Sequence, residues 1–448
     1  MNKDLLERYG GAVPRYTSYP TAPHFEAGVT PETYRRWLGQ ITGDDALSLY
    51  FHVPFCASMC WYCGCHTKVV KRYQPIGDYA ELLRREVSLV AHEIKGTPSV
   101  INVHWGGGTP SMLSEKDFSE LMDAIRKHFQ FSDDAEVAVE IDPRTMTNNM
   151  AGAMAKAGVT RASLGVQDFN LHVQQAINRI QPFEVTENAV ARLRRAGVSA
   201  INFDLMYGLP GQTVDDVIRT AELAALLSPD RLSVFGYAHV PWMKSHQKMI
   251  DEDQLPDGPE RMAQAQAAAT RLNELGFLSI GLDHFARPDD ALVRALDGGR
   301  LNRNFQGYTT DQANVLLGFG ASAIGSLGPG YVQNAAPMGD YSRAVVAGKL
   351  PIVRGIALTP DDKLRRAVIE QLMCGMSVDL DETAAHFGAS EKFQSELNTL
   401  GLMAWDGLVE IKDRRIHITP EGRPWMRTIA AVFDRYLETG EARHSRAV

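Results

Sequence analysis

From about residue 47 the chain alternates between short runs of β-branched and aromatic residues and longer segments with apolar positions at helical spacing. The short runs predict six strands, at 47–53, 100–107, 136–142, 161–167, 200–208 and 231–240. The segments between them predict helices over 78–94, 114–129, 186–197 and 213–227. Strand followed by helix, repeated in this way, is typical of parallel βα units. We therefore predict an α/β fold with a partial (β/α)6, TIM-like barrel.

The pattern changes after residue 300. Helical spacing at 363–375, 381–388 and 390–407 is followed by a hairpin and by a helix that begins near Thr419. These elements predict a mostly helical, winged-helix-like unit. We divide the chain into an N-terminal arm, the barrel, a connecting segment and a C-terminal domain, with the ranges 1–46, 47–300, 301–360 and 361–448.

Polar and small residues concentrate where the predicted strands end. The set comprises the cysteines after the first strand, "GGGTP" (106–110) after the second, Glu140 and Asp142, Gln167 and Asp168, Asp204, and Ala238 with His239. The carboxyl ends of parallel strands are where barrel active sites are built. The sequence therefore predicts one active site at this end of the barrel.

Four of the five cysteines lie within ten residues, in the spacing C-x3-C-x2-C-x-C. A structural zinc site usually takes its ligands from two separated pairs, and the chain has no second pair. Bunched thiolates suit an iron–sulfur cluster better. We predict that Cys56, Cys60 and Cys63 bind a [4Fe–4S] cluster with one iron left open, and that Cys65 is not a ligand. Structural zinc and a fourth ligand at Cys65 are the alternatives.

Composition and charge narrow the classes of function. The net charge of −8 disfavours general nucleic-acid binding, which requires a basic surface. The first twenty residues contain no apolar core of a signal peptide, and the most apolar run (315–332) is interrupted by glycine, serine and proline. We expect a cytoplasmic protein without a membrane span, in which reduced thiols serve metal or redox chemistry.

C-x3-C-x2-C after a first barrel strand resembles the motif of the radical S-adenosylmethionine (SAM) superfamily, so the expected barrel is of the radical SAM type. Over essentially its full length the chain is similar to one family within it, the oxygen-independent coproporphyrinogen III oxidases (coproporphyrinogen dehydrogenases). The matching segments include "PRYTSYPTA" (14–22), "HWGGGTP" (104–110), "VEIDPR" (139–144), "GVQDFN" (165–170), "DLMYGLPGQT" (204–213), "DHFARPDD" (283–290) and "RNFQGYTT" (303–310).

The resemblance implies an oxidative decarboxylation in heme biosynthesis. Two propionates of coproporphyrinogen III become vinyls, which gives protoporphyrinogen IX. A 5′-deoxyadenosyl radical made from SAM takes a hydrogen from the propionate β-carbon, carbon dioxide leaves, and an unidentified acceptor takes the remaining electron. The family binds one cluster and two SAM molecules per active site. We also expect a monomer that receives electrons from a donor such as flavodoxin or ferredoxin.

The resemblance also implies roles for single residues. The residues expected at the first SAM are Tyr50, Gly107, Glu140 and Ile324, and those at the second are Tyr62, Gly108, Thr109, Gln167, Arg179, Asp204 and Ala238. Tyr50, His52 and Cys65 are expected to be catalytic, although His52 could instead be a buried core histidine. Arg15 is expected to pair with a propionate while the arm closes over the substrate, and the alternative is a plain polar loop.

Two positions depart from the family pattern, and three other functions remain open. Trp61-Tyr62 stands where relatives commonly have Tyr-Phe, and Asn302 stands where they often have histidine. The alternatives are a related heme chaperone, a radical SAM methyltransferase or heme-degrading enzyme, and a plain zinc protein. The chaperone typically lacks the Cys-x-Cys and the "PRYTSYPT" arm, and this chain has both.

Overall fold

The computed structural model describes residues 3–389 and 392–437. Its strands are β1 (Ala46–Val53), β2 (Phe55–Cys56), β3 (Lys68–Val69), β4 (Ser99–Gly107), β5 (Gln130–Ile141), β6 (Arg161–Gln167), β7 (Ala200–Tyr207), β8 (Arg231–Gly236), β9 (Leu278–Ile280), β10 (His284–Ala286), β11 (Asn302–Asn304), β12 (Gly307–Thr309), β13 (Val315–Phe319), β14 (Ile324–Leu327), β15 (Gly330–Asn334), β16 (Ile352–Ala357), β17 (Ser377–Asp379), β18 (Val409–Lys412) and β19 (Arg415–Ile418).

The helices alternate with these strands. They are α1 (Lys3–Tyr9), α2 (Pro31–Leu38), α3 (Gln74–Glu93), α4 (Glu115–His128), α5 (Asn148–Lys156), α6 (Leu171–Ala176), α7 (Phe183–Ala196), α8 (Val214–Leu226), α9 (Gly258–Glu274), α10 (Ala291–Asp297), α11 (Met338–Val346), α12 (Pro360–Gly375), α13 (Leu380–His386), α14 (Gln394–Trp405) and α15 (Met426–Ala431). Short 3-10 helices span Ala22–His24, Pro110–Met112, Pro143–Thr145, Ser245–Met249, Glu252–Gln254 and Arg423–Trp425. No helix in the described ranges is long and apolar enough to cross a membrane.

The main sheet contains the predicted barrel. Its strand order is β16-β15-β14-β13-β1-β4-β5-β6-β7-β8-β10-β9, and β1, β4, β5, β6, β7 and β8 run parallel, as predicted. β13 lies parallel to β1 on its other side, and the outer strands are antiparallel. Within the described residues this ladder ends at β16 and β9 without closing, so the predicted partial barrel is confirmed.

Alternation along β1 sets the two faces of the barrel wall. Leu47, Leu49, Phe51 and Val53 are fully buried, and the Phe51 ring stacks between other rings with centroids 4.4 and 4.8 Å away. Each such apolar side chain contributes roughly 1.5–3 kcal/mol when fully buried. Because successive side chains point to opposite faces of a strand, Tyr50 and His52 face the other way from Phe51.

Several predicted boundaries differ from the structure. β5 begins six residues earlier than predicted, at Gln130. β8 ends at Gly236, so Ala238 and His239 lie in the following loop and not on the strand. There the side-chain oxygen of Gln247 accepts from the N–H of Val240, and the chain leaves the sheet. The segment 301–360 contributes β13, β14, β15 and β16 to the main sheet.

A second apolar core joins the N-terminal arm to the C-terminal region. Val13, Tyr16 and Tyr19 are buried in it together with residues of α12, α13, α14 and α15. A three-stranded sheet, β17-β19-β18, accompanies these helices, and the helices agree with the predicted mostly helical C-terminal region. Its last helix begins at Met426 and not near Thr419, because Pro424 and a 3-10 turn precede it. The parts of this predicted unit at 390–391 and 438–448 lie outside the described residues.

Candidate active site

A cavity of about 500 Å³ opens at the carboxyl ends of the barrel strands. Its wall includes most of the predicted site residues, namely Cys56, Cys60, Tyr62, Cys63, Cys65, Gly107, Gly108, Thr109, Glu140, Gln167, Arg179, Asp204 and Ala238. We call the side formed by residues 56–67 the cysteine wall. We call the side formed by the ends of β4, β5, β6 and β7 the strand-end wall. Most of the predicted strand-end residues therefore lie together, whereas Asp168 and His239 do not border the cavity.

The cysteine wall is a loop closed at its base by a short parallel ladder. β2 pairs with β3, so that Phe55 opposes Lys68 and Cys56 opposes Val69. The far side of the loop is tied to the segment after α6, where the side-chain amide of Asn178 donates to the carbonyl oxygen of Met59 at 2.8 Å. These bonds satisfy main-chain groups that would otherwise be unpaired in an irregular loop.

A second clamp holds the cysteine wall from the loop after β8. Lys244 Nζ donates to the carbonyl oxygen of Cys65 at 2.9 Å, and His246 Nε2 donates to that of Cys63 at 2.7 Å. Gln247 Nε2 donates to the carbonyl oxygen of Tyr62 at 2.9 Å. Tyr62, Cys63 and Cys65 are thus held through their carbonyl oxygens by side chains about 180 residues away in sequence.

Each of the three candidate ligand thiols has a hydrogen-bonding group beside its sulfur. Thr67 Oγ1 and Thr109 Oγ1 lie 3.0 and 3.6 Å from the Sγ of Cys56. The N–H of Cys65 donates to the Sγ of Cys63 at 3.4 Å. Hydrogen bonding from Cys65 lowers the pKa of Cys63 to about 6, whereas burial raises the pKa of Cys56. Donors aimed at sulfur favour the thiolate, which is the form that binds iron.

Two arginines stand over Cys60. Arg179 Nη1 and Arg144 Nη2 lie 3.4 and 3.6 Å from its Sγ. Asp142 joins them, 2.6 Å from Arg144 Nη2 and 3.5 Å from Arg179 Nη1. Burial opposes ionisation of Asp142, but the two guanidinium groups outweigh it and lower its pKa. Arg179 Nε is buried and has no hydrogen-bond partner among the described residues, so this guanidinium can still bind an anion in the cavity.

The strand-end wall carries two carboxyl groups of different character. Glu140 accepts from His104 Nε2 at 3.0 Å and from the N–H of Gly107 at 3.1 Å, and these bonds lower its pKa against the effect of burial. Burial and the nearby charge of Glu140 instead raise the pKa of Asp204 to about 7. One carboxylate and one protonatable carboxyl group therefore face the same cavity.

The glycines of "GGGTP" leave room for these groups. A Cβ on Gly106 would lie 2.7 Å from Glu140 Oε1. Gly107 has a φ of +106°, and a Cβ there would lie 2.5 Å from the ring of His52. Any other residue would be strained at Gly107 and would displace a neighbouring group.

Tyr50, His52 and Ile324 lie behind the wall and do not border the cavity. The Tyr50 hydroxyl lies 3.0 Å from His52 Nδ1, and His52 Nε2 lies 2.8 Å from the carbonyl oxygen of His66. Burial lowers the pKa of His52, so the ring is neutral near pH 7. Ile324 lies against Gly318, the residue that pairs with Tyr50 on β1. The three positions thus support the wall in this structure.

Several residues of the site were not predicted. They are Thr67, His104, Arg144, Ser163 and the clamp residues of 244–247. Arg144 lies two residues beyond the end of the third predicted strand, so its position offered a signal. The clamp residues lie in a polar loop without a motif, and no local signal marks them.

Comparison with known proteins agrees with this geometry. Residues 50–224 match the family model of the radical SAM superfamily, and residues 358–425 match that of the HemN C-terminal domain. The oxygen-independent coproporphyrinogen III oxidase of Bradyrhizobium diazoefficiens is 51% identical over 100% of both chains. That of Pseudomonas aeruginosa is 40% identical, with 99% of this chain and 98% of the relative covered.

A solved structure agrees as well. Coproporphyrinogen III oxidase (HemN) from Escherichia coli, described as a radical SAM enzyme, superposes with a TM-score of 0.90 at 38% identity. The superposition covers 94% of this chain and 98% of that one. Full-length identity of this order, the matching fold and the shared family models lead to one conclusion: the chain belongs to the oxygen-independent coproporphyrinogen III oxidases of the radical SAM superfamily.

Proposed function

We propose that the protein oxidatively decarboxylates two propionates of coproporphyrinogen III to vinyls, without oxygen, and so forms protoporphyrinogen IX for heme biosynthesis. The observation that carries the proposal is the convergence of four thiols, three arginines and three carboxyl groups on one cavity. Full-length relatives at 51% and 40% identity bear the name of this activity.

Membership of the superfamily implies a [4Fe–4S] cluster and SAM as cofactors. The donor set fits the cluster, because Cys56, Cys60 and Cys63 border one cavity and each sulfur has a hydrogen-bonding group beside it. Among residues 3–389 and 392–437, no three Cys, His, Asp or Glu side chains are grouped to hold a single metal ion. We propose these three cysteines as the ligands. When bound, the cluster and SAM supply a 5′-deoxyadenosyl radical.

We propose that two SAM molecules bind in this cavity and contact different residues. Near the strand-end wall, Glu140 would accept hydrogen bonds from the ammonium or ribose of the first SAM, beside the close backbone approach at Gly107. For the second SAM, Arg179 would pair with the carboxylate and Asp204 would accept from a ribose hydroxyl. The other residues of this second site would be Gly108, Thr109, Gln167 and Ala238. The unpartnered Nε of Arg179 supports the carboxylate assignment.

Of the remaining predicted residues, some border the cavity and others lie behind its wall. Cys65 borders the cavity, which supports a role next to the substrate. Tyr50 and His52 form a hydrogen-bonded pair behind Gly107, so we propose that they hold this wall in place and keep a neutral imidazole beside it. Ile324 supports Tyr50 through Gly318, and Tyr62 supplies a buried ring for adenine.

We propose that residues 1–46 act as a lid over the barrel of 47–300, with 301–360 connecting it to the domain of 361–448. Arg15 borders the cavity, while neighbouring arm residues are buried against the C-terminal region, which supports this division. We further propose a cytoplasmic monomer that receives electrons from a flavodoxin or ferredoxin. Reduced thiols are required on the cysteine wall, which supports a reducing compartment.

The test is anaerobic turnover. The protein is reconstituted with iron and sulfide, reduced and supplied with SAM and coproporphyrinogen III, and the tetrapyrrole is followed by mass. We expect the tetrapyrrole to lose the mass of two carbon dioxide molecules and four hydrogen atoms. Each decarboxylation removes one carbon dioxide and two hydrogens, namely the carboxyl proton and the hydrogen abstracted from the β-carbon. A gain of methyl mass would indicate a methyltransferase, and tight heme binding without SAM consumption would indicate a chaperone.

A further inference from the structure

Arg303 on β11 has a buried guanidinium group that lacks full pairing. Its side chain is only 4% exposed, and its guanidinium carbon lies 4.4 Å from the centre of the Tyr308 ring. Nε and Nη1 have no hydrogen-bond partner within the described ranges. The carboxylate of Asp283 lies 3.9 Å from Nη1, which is beyond hydrogen-bond distance.

This arrangement is costly without a ligand. An unsatisfied buried donor costs about 1–3 kcal/mol, and more when the group is charged. Asp283 does not complete the pairing, because its Oδ1 lies 3.9 Å from Arg303 Nη1 and instead sits 2.7 Å from His284 Nδ1. An acceptor that entered beside either Nε or Nη1 of Arg303 would receive a hydrogen bond from a charged donor, which suits a carboxylate.

Arg15 connects this group to the cavity. It borders the cavity, its Nη2 donates to the carbonyl oxygen of Gly236 at 3.2 Å, and its own carbonyl oxygen accepts from Arg303 Nη2 at 3.4 Å. Nearby arm residues point elsewhere, since Val13 and Tyr16 are buried in the second core. The arm therefore leaves Arg15 as its cationic side chain at the cavity.

The electrostatics of the region agree with this geometry. Although burial opposes ionisation of Asp283, Arg303, His284 and Arg15 lower its pKa to about 2. Burial and then the charge of Arg15 lower the pKa of Arg427 to about 10. Arg427 Nε donates to the carbonyl oxygen of Pro14 and so fixes the arm just before Arg15.

We propose that Arg15 and Arg303 form a subsite for one propionate carboxylate of the tetrapyrrole substrate, between the arm and the β11–β12 hairpin, where Arg15 borders the cavity. The subsite rests on the proposed function. Its role is to hold a carboxylate that is not reacting, so that another propionate is directed towards the cysteine wall. Both residues act on the substrate alone and take no part in forming the radical.

The test separates binding from chemistry with variants at each residue. Arg303→Gln and Arg15→Gln are each expected to raise the KM for coproporphyrinogen III about tenfold or more, because each variant loses a hydrogen bond to a charged group, and such a bond contributes enough free energy for a tenfold change in affinity. Formation of 5′-deoxyadenosine in the absence of substrate is expected to stay unchanged. Arg303→Lys and Arg15→Lys keep the charge and are expected to recover part of the affinity.

Arg287→Gln is the matched control. Arg287 also lies over an aromatic ring, that of Phe277 at 5.9 Å, and also donates to a carbonyl oxygen. It lies near the start of β8, away from the end of this strand at the cavity. The KM of the Arg287→Gln variant is expected to equal that of the unchanged protein. If Arg303→Gln fails to fold, the exposed Arg15 decides the question.

The outcomes are distinguishable. If the protein without substitutions converts no coproporphyrinogen III, the proposed function is wrong. Normal conversion together with an unchanged KM in Arg15→Gln refutes the subsite alone. A raised KM that the lysine variants recover in part supports it.

Discussion

The two walls of the cavity are built in different ways. The cysteine wall is one loop, with its functional groups within ten residues of sequence and its main chain held from outside by the clamp at 244–247. The strand-end wall takes single residues from four strands, and the sheet holds each of them in register. Sulfur dominates the first wall, and carboxyl groups dominate the second.

Because the two walls are built differently, single substitutions should affect them differently. A residue on the strand-end wall stands on a rigid ladder, so a substitution there should alter one interaction and leave the rest of the site intact. The cysteine wall depends on several side chains that act on one loop, so the loss of a thiol should remove the shared function entirely. Four predictions test this contrast, from the largest expected effect to the smallest.

The largest effect is expected for the ligand thiols. Cys56→Ala, Cys60→Ala and Cys63→Ala should each abolish cluster retention and activity, because each removes one of three ligands. Cys65→Ala should keep the cluster. Iron and sulfide content after reconstitution measures this, and complete loss of iron in Cys65→Ala would refute the three-ligand assignment.

On the strand-end wall, the raised pKa of Asp204 predicts a pH-dependent stability. Between its unfolded pKa of 3.8 and its folded pKa of about 7, the native carboxyl group keeps a proton that the unfolded chain releases. The free energy of unfolding of the apoprotein should therefore fall as pH rises through this window, by at most about 4 kcal/mol from this group. Asp204→Asn should flatten the slope.

Urea unfolding at several pH values measures the slope. Asp133→Asn, on the exposed start of β5, serves as the control and should leave the slope unchanged. An identical slope in Asp204→Asn and the unchanged protein would show that Asp204 is already ionised in the folded state.

Glu140 should affect one cofactor and not the other. Glu140→Gln removes a carboxylate that accepts from His104 and from Gly107, and we expect cluster content to stay normal. SAM affinity should fall about 10- to 100-fold, because a charged hydrogen bond is worth about 1.5–3 kcal/mol. Equilibrium binding of SAM measures this. Glu136→Gln on the same strand, where Glu136 pairs with Arg161 at 3.0 Å, should bind normally.

The smallest effect is expected at Arg144. With a cluster bound at Cys60, the cationic hydrogen bond from Arg144 would stabilise the extra negative charge of the reduced form, so Arg144→Gln should make the cluster harder to reduce, by about 1 kcal/mol. Potentiometric titration followed by electron paramagnetic resonance measures this, and Arg144→Lys should recover part of the shift. Arg192→Gln, which loses only a bond to the carbonyl of Met146, should not change the potential. A potential in Arg144→Gln equal to that of the unchanged protein would contradict the role.

The sequence predicted the parts of the site that local pattern controls. Cysteine spacing identified the candidate ligand loop, and strand ends located Glu140 and Asp204, because a parallel barrel brings its strand ends together whatever the loops do. It did not predict the clamp on the cysteine wall or the shared core of arm and C-terminal helices. Both depend on contacts between residues that are far apart in sequence.

The sequence also did not predict that Tyr50 and His52 would lie behind the cavity wall and not at its surface. Tyr50 and His52 have the right residue types and the right strand, and the alternation along β1 turns both towards the site. Gly107 borders the cavity, and a Cβ on it would lie 2.5 Å from the His52 ring, so His52 packs against this glycine. Whether a side chain borders the cavity or supports its wall depends on this placement of the backbone, which the strand pattern does not show.

The most direct test is a ratio of products. Coproporphyrinogen III labelled in its propionate carboxyl groups is turned over anaerobically, and labelled carbon dioxide and 5′-deoxyadenosine are counted in the same samples. If both walls serve one decarboxylation, the two products should appear in equal amounts, two of each for every protoporphyrinogen IX formed. If 5′-deoxyadenosine accumulates without labelled carbon dioxide, the cavity performs radical chemistry on a different group, and the proposed reaction is wrong.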